Sequence, residues 1–261
     1  MDKKYTFEEF IEIIARLRGE NGCPWDKEQT FDSLKSTVLE ESYEVIDALS
    51  IGGTKLADEL GDLLLQIVML SQIASEDKSF DISDVIDLIS KKMIHRHPHV
   101  FGDVKVENSE DVLKNWDRIK RDDKKDSTVT ASLKDITKTL PSILKAHKVQ
   151  SRAAKVGFDW DNTEDVFDKV FEECNELKNA YVNNDNENVH EELGDLLFSV
   201  VNLSRFLKVN PEIALNDSTA KFVNRFEKIE KAANFKGESI EDMSFEEMDA
   251  LWDEVKKAEK S

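Results

Sequence analysis

Along most of the chain, apolar residues recur at spacings of three and four, the signature of helices that turn one face toward a core. Alternating strand patterns are almost absent. Thr6 and Glu9 form a capping box that predicts a helix running to about Arg18. Phe31, Leu34, Val38, Val45 and Leu49 mark a second helix, stopped by Gly52 and Gly53. Three more are expected, over about 55–75, from Ser83 to Pro98, and over about 110–121. Residues 122–131, DDKKDSTVTA, are polar, lack an apolar period and read as a linker. Beyond them the helices resume over about 141–155, 163–181, 187–207, 211–234 and 245–259, the last opened by a Ser244/Glu247 capping box.

The second series repeats the first in its unusual residues. Trp25-Asp26 returns as Trp160-Asp161, and Glu40-Glu41-x-x-Glu44 as Glu172-Glu173-x-x-Glu176. Glu59-Leu60-Gly61-Asp62 returns as Glu192-Leu193-Gly194-Asp195, Lys92/Arg96 as Lys221/Arg225, and Trp116-Asp117 as Trp252-Asp253. The offsets run from 129 (Arg96 to Arg225) to 136 (Trp116 to Trp252), in constant order. We read an all-α protein made by internal duplication, with domains at 1–121 and 132–261 joined by the linker 122–131.

Composition narrows what such a protein does. With 36 Lys+Arg against 55 Asp+Glu the net charge is −19, which disfavours binding to nucleic acid or to anionic membrane surfaces. The apolar run from Leu63 to Leu70 is too short to span a bilayer, and the N-terminus lacks the apolar core of a signal peptide. Two cysteines, Cys23 and Cys174, make no disulfide framework, so a cytoplasmic location is expected.

The acids carry the candidate chemistry. Glu41/Glu44 and Glu173/Glu176 are three apart, one helical turn on one face, and Glu59/Asp62 and Glu192/Asp195 repeat the spacing on the next helix. Four carboxylates aimed at one point repel unless a cation lies between them. Hard oxygen donors without His or Cys select Mg²⁺ or Mn²⁺ over Zn²⁺, and Mg²⁺ commonly completes its shell with phosphate oxygens. One acidic string in so acidic a chain is usually a solvated helix face, but the string occurs twice, and Glu-Leu-Gly-Asp-Leu-Leu puts acids inside an apolar helix, where unpartnered burial is costly.

These motifs, together with GCPWD (Gly22 to Asp26), HRHPHVF (His95 to Phe101) and VGFDW (Val156 to Trp160), resemble the MazG nucleoside triphosphate pyrophosphohydrolases over nearly the whole chain. The resemblance implies two tandem helical-bundle MazG-type domains, a homodimer, Mg²⁺ dependence, and hydrolysis of NTPs and dNTPs to the monophosphate and pyrophosphate. It makes Glu173, Glu176, Glu192 and Asp195 metal ligands, and Glu172 and Glu191 candidates to orient or deprotonate the attacking water. Lys221 and Arg225 would clamp phosphate, and Trp252 would stack on or edge the nucleoside, although a surface cation or a core aromatic remains the alternative for each.

Two differences between the halves favour the second as the main catalytic domain. Lys169 stands four residues before Glu173 where Thr37 precedes Glu41, and Asn202 stands seven after Asp195 where Met69 follows Asp62. The first half keeps Glu41, Glu44, Glu59 and Asp62, a secondary metal site. His95, His97 and His99 straddle a helix end at Pro98 and read as loop anchors or phosphate-facing groups; Cys174 reads as packing. The main rival is a catalytically silent nucleotide-binding regulatory module; an acidic scaffold and a narrow-specificity dUTP or phosphoribosyl-ATP pyrophosphohydrolase are the others. A domain of about 120 residues built on a two-helix platform also needs further helices to cover it, which favours dimerisation.

Overall fold

The computed structural model describes residues 3–123, 128–235 and 237–259, and every regular element among them is helical. Two compact units divide the chain, Met1–Lys125 and Asp126–Ser261. Among the described residues no helix is long and apolar enough to cross a membrane.

Unit 1 contains α1 (Phe7–Arg18), α2 (Pro24–Glu28), α3 (Leu34–Leu49), α4 (Gly53–Glu76), α5 (Ile82–Arg96), α6 (Pro98–Phe101) and α7 (Ser109–Asp122). The Thr6/Glu9 capping box opens α1 as the pattern predicts, satisfying backbone donors that a helix start leaves orphaned. Helices α3 and α4 form a hairpin whose turn is made by Gly52 and Gly53, at φ +72° and +58°, a region that costs a side chain energy. The core gathers Ile14 of α1, Leu34 of α3, and Val68, Met69 and Ile73 of α4. GCPWD, whose last three residues open α2, docks against α1. Gly22 lies so close to α1 that a Cβ there would collide with the Leu17 carbonyl oxygen, and Arg18 donates to the carbonyls of Asp26 and of Gln29 (3.1 Å) while pairing with Glu76 of α4 at 2.8 Å.

Unit 2 contains α8 (Val129–Lys134), α9 (Ser142–Ala154), α10 (Thr163–Val182), α11 (Asn186–Phe206), α12 (Pro211–Phe235) and α13 (Phe245–Ala258), with a 3-10 turn at Ile240–Asp242. Helices α10 and α11 form its principal hairpin. Asn184 takes the left-handed conformation that glycine takes in unit 1, at φ +57°, and Asp185 caps α11 through the Asn188 amide. Helix α9 lies against α11 and α12, and α12 packs on α13 through Ile229, Ala233 and Leu251.

Both ends of the stretch expected to be a linker, 122–131, lie in helices. Helix α7 runs to Asp122 and α8 begins at Val129, while residues 124–127 lie outside the described residues. The Thr128 hydroxyl accepts from the Ala131 amide, and the apolar residues that hold this turn down, Leu133 and the buried Ile136, follow the polar run rather than lying in it.

Candidate functional site

In unit 2 the hairpin turns α10 and α11 so that their acids meet. Glu173 of α10 and Glu192 and Asp195 of α11 each offer a carboxylate oxygen, and these oxygens lie within 4.8 Å of one another. Glu173 is only 5% exposed, on a helix face otherwise turned to the core. Such a charge needs a partner, and Lys169, one turn earlier, provides it: its Nζ lies 2.6 Å from Glu173 and 2.8 Å from Glu172. Both carboxylates raise the Lys169 pKa, the Glu172 hydrogen bond most. Loss of hydration, then the charges of Glu176, Glu173, Asp195 and Glu191, push the Glu192 pKa up. Glu176 and Glu191 therefore belong to the same electrostatic neighbourhood, although the converging oxygens are those of the other three.

Unit 1 repeats the cluster with Glu41, Glu59 and Asp62. Here the deeply buried acid is Glu59, 3% exposed, on the second helix of the hairpin rather than the first. Lys55, one turn before it on α4, pairs with it and lowers its pKa. Glu44 moves the opposite way, raised first by its hydrogen bond to Glu59 and then by that carboxylate's charge. Lack of hydration, then Asp62, Glu59 and Glu40, raise Glu41. The lysine expected to distinguish the second half thus has a counterpart on the other helix. Each cluster is a set of hard oxygen donors with one ammonium, a donor set that fits a divalent cation.

A cavity of about 790 Å³ opens beside the unit 2 cluster, within the size range of small-molecule sites. Lys169, Glu173 and Asp195 line one part of it, and Phe158, Trp160, Val166 and Phe198 give it apolar walls. Asn202 also lines it, whereas Met69, seven residues after Asp62, is 4% exposed in the core of unit 1. Spacing along the chain did not single out two further groups in the lining, Gln150 and the Asp159–Arg205 pair. They come from positions 48 and 46 residues from their partners, a separation that no local pattern reports.

Lys221, Arg225 and Trp252 do not line this cavity. Arg225 donates to Glu259 at 2.9 Å and lies 5.7 Å from the Trp252 ring, while Trp252 packs on Phe222 and on the α12–α13 core. Unit 1 has the same arrangement: Arg96 lies 5.5 Å from the Trp116 ring and 3.7 Å from Asp123. Within one chain this Arg–Trp–carboxylate set fastens the last helix of each unit to the long helix before it. Among the histidines, His97 donates from Nδ1 to the Met93 carbonyl at 2.7 Å and lies against Trp116, and His95 pairs with Asp123.

The MazG nucleotide pyrophosphohydrolase domain matches residues 29–101 and 162–233, one segment in each unit. The chain is 43% identical over 255 residues, 95% of its length and 96% of the relative's, to the nucleoside triphosphate pyrophosphohydrolase of Escherichia coli (strain K12). It is 43% identical to the nucleoside triphosphate pyrophosphohydrolase/pyrophosphatase MazG of Thermotoga maritima, over 96% of this chain and 95% of that one. The uncharacterized protein YabN of Bacillus subtilis is 46% identical over 98% of this chain, which spans 53% of that protein. Two matched segments, two acid clusters on equivalent hairpins and full-length relatives agree: the chain belongs to the MazG nucleotide pyrophosphohydrolase family.

Proposed function

We propose that this protein hydrolyses NTPs and dNTPs to the monophosphate and pyrophosphate in the presence of Mg²⁺, with Mn²⁺ as a substitute, and that unit 2 is its main catalytic centre. The observation that carries this reading is the convergence of Glu173, Glu192 and Asp195 at the edge of a cavity large enough for a nucleoside, in a chain with full-length pyrophosphohydrolase relatives. Glu173, Glu176, Glu192 and Asp195 would hold the cation, and the triple of unit 1, with Glu44, a secondary one. A divalent ion held by these carboxylates would supply charge neutralisation for the triphosphate and would make water more acidic.

Glu172 and Glu191 are exposed on α10 and α11, next to the buried Glu173 and the half-buried Glu192, where a carboxylate can accept a proton from water as its oxygen attacks the α-phosphorus and the bond to the bridging oxygen breaks. Lys169, held between Glu172 and Glu173, is placed to turn toward the triphosphate once a cation takes over its role beside Glu173. Asn202, which lines the cavity, would contact the nucleoside. Lys221, Arg225 and Trp252 are carried as phosphate and nucleoside contacts on the family resemblance.

The same reading includes a homodimer in the cytosol. Leu193, Leu197 and Val200 form an apolar stripe along α11, and Leu60, Leu64 and Ile67 form its repeat along α4; all six are 37 to 56% exposed. A stripe kept in both repeats and uncovered within its own unit fits a helix from a second copy. The test of function is to incubate the protein with each NTP and dNTP, with and without Mg²⁺, and separate the products. Monophosphate and pyrophosphate are expected; diphosphate and orthophosphate would refute the reading, and no turnover would favour the silent regulatory module.

A further inference from the structure

Gln150 of α9 is 7% exposed, yet half of its amide has no partner. Its Nε2 donates to the Phe198 carbonyl at 2.8 Å. A carbonyl only accepts, so this bond orients the amide and aims Oε1 away from α11; that oxygen is buried without a hydrogen bond among the described residues. An orphaned buried acceptor is a standing cost, and Gln150 lines the cavity beside the acid cluster.

A second amide sits one helical turn further along α11. Asn202 Oδ1 accepts from Arg205 Nε at 3.2 Å and from an Arg205 Nη at 2.9 Å, and Asp159 grips the same guanidinium from its other side. A guanidinium only donates, so the Asn202 oxygen must face it and the Nδ2 hydrogens point elsewhere. The cavity lining therefore holds an acceptor from α9 and a donor from α11, each of fixed polarity, together with the aromatic side chains of Phe158, Trp160 and Phe198.

We propose that Gln150 is a substrate-binding residue that contacts the nucleobase, its Oε1 accepting from a base N–H while Asn202 Nδ2 donates to the neighbouring ring or carbonyl acceptor. This rests on the triphosphate reading above. Each of the common bases carries an N–H beside an acceptor on its pairing edge, so the two amides select a base over no base while admitting all of them. Arg205 and Asp159 act as positioning residues, holding the Asn202 amide in the orientation the match requires. Unit 1 has no such donor at the equivalent place, since Met69 is packed in its core.

The test is Gln150→Met, which keeps the length of the side chain and removes the acceptor, assayed in the full-length enzyme with Mg²⁺. KM for each NTP is expected to rise about three- to tenfold, the loss of one neutral hydrogen bond, with the inhibition constant of inorganic tripolyphosphate unchanged. Unchanged KM values would overturn the assignment. So would a parallel loss of tripolyphosphate binding or of all activity, because the residue would then act on the fold and not on the base. A wild-type protein that releases no pyrophosphate from any NTP overturns the triphosphate reading itself, and this inference with it.

Discussion

Replacing Lys169 with methionine tests whether the acids of unit 2 are held together by charge. In the folded protein its ammonium lies 2.6 Å from Glu173, a carboxylate only 5% exposed, and Glu192 and Asp195 crowd the same point within 4.8 Å. Breaking a fully buried pair costs roughly 3–5 kcal/mol because the remaining charge is left unpaired. About a third of the Lys169 side chain is exposed, so solvent screens part of this, leaving about 2 kcal/mol. For a unit of this size that corresponds to a fall in Tm of about 8 °C, read by calorimetry in EDTA. Magnesium at a hundredfold excess over its dissociation constant adds about 2.7 kcal/mol to whichever protein binds it, and in the variant the ion also substitutes for the missing ammonium. The gap between wild type and variant should therefore narrow in Mg²⁺. A gap that magnesium leaves unchanged, or no fall in EDTA, would refute the idea that ammonium and ion answer the same carboxylates.

Three other predictions follow from the same geometry. Glu173→Gln or Glu192→Gln should abolish pyrophosphate release while Glu41→Gln leaves most of it, and equal losses would remove the case for unit 2 as the main centre. The Asp159 pKa is held below its ordinary value, chiefly by hydrogen bonds from Arg205, so the pair stabilises the fold above the unfolded aspartate's pKa near 4 and ceases to do so as pH falls through the lowered folded value. Asp159→Asn should accordingly cost about 1 kcal/mol at pH 7 and nothing in strong acid; a Tm difference that persists there would contradict the ion-pair account. Leu197→Glu, on the exposed stripe of α11, should shift sedimentation from dimer to monomer, and a wild-type monomer would dispose of the dimer proposal.

The long helices were legible because each shows three or more turns of apolar period, and both the Thr6 and Ser244 capping boxes form as read. The short helices α2, α6 and α8 were not, since four to six residues cannot establish a period; Pro24 and Pro98 at helix starts and Thr128 as a cap were the available signals. The i, i+3 acids and their duplication foretold the two clusters, but not which acid in each would be buried. The buried acid in each unit is the one that has a lysine one turn before it on its own helix, Lys55 on α4 and Lys169 on α10. For Arg225 and Trp252 the sequence offers a ligand contact or a packing role, and within one chain a carboxylate seven residues after the tryptophan in both repeats, Asp123 and Glu259, engages the arginine. That spacing was visible along the chain. Gln150 was not, because its meaning arises only where α9 meets α11.

The most direct test of the central claim is hydrolysis of ATP in ¹⁸O-enriched water with Mg²⁺, followed by mass spectrometry of both products. Attack at the α-phosphorus by water held at the acid cluster places the label in the monophosphate and none in pyrophosphate, and EDTA abolishes both products. Label in pyrophosphate, release of orthophosphate, or turnover that survives EDTA would contradict it.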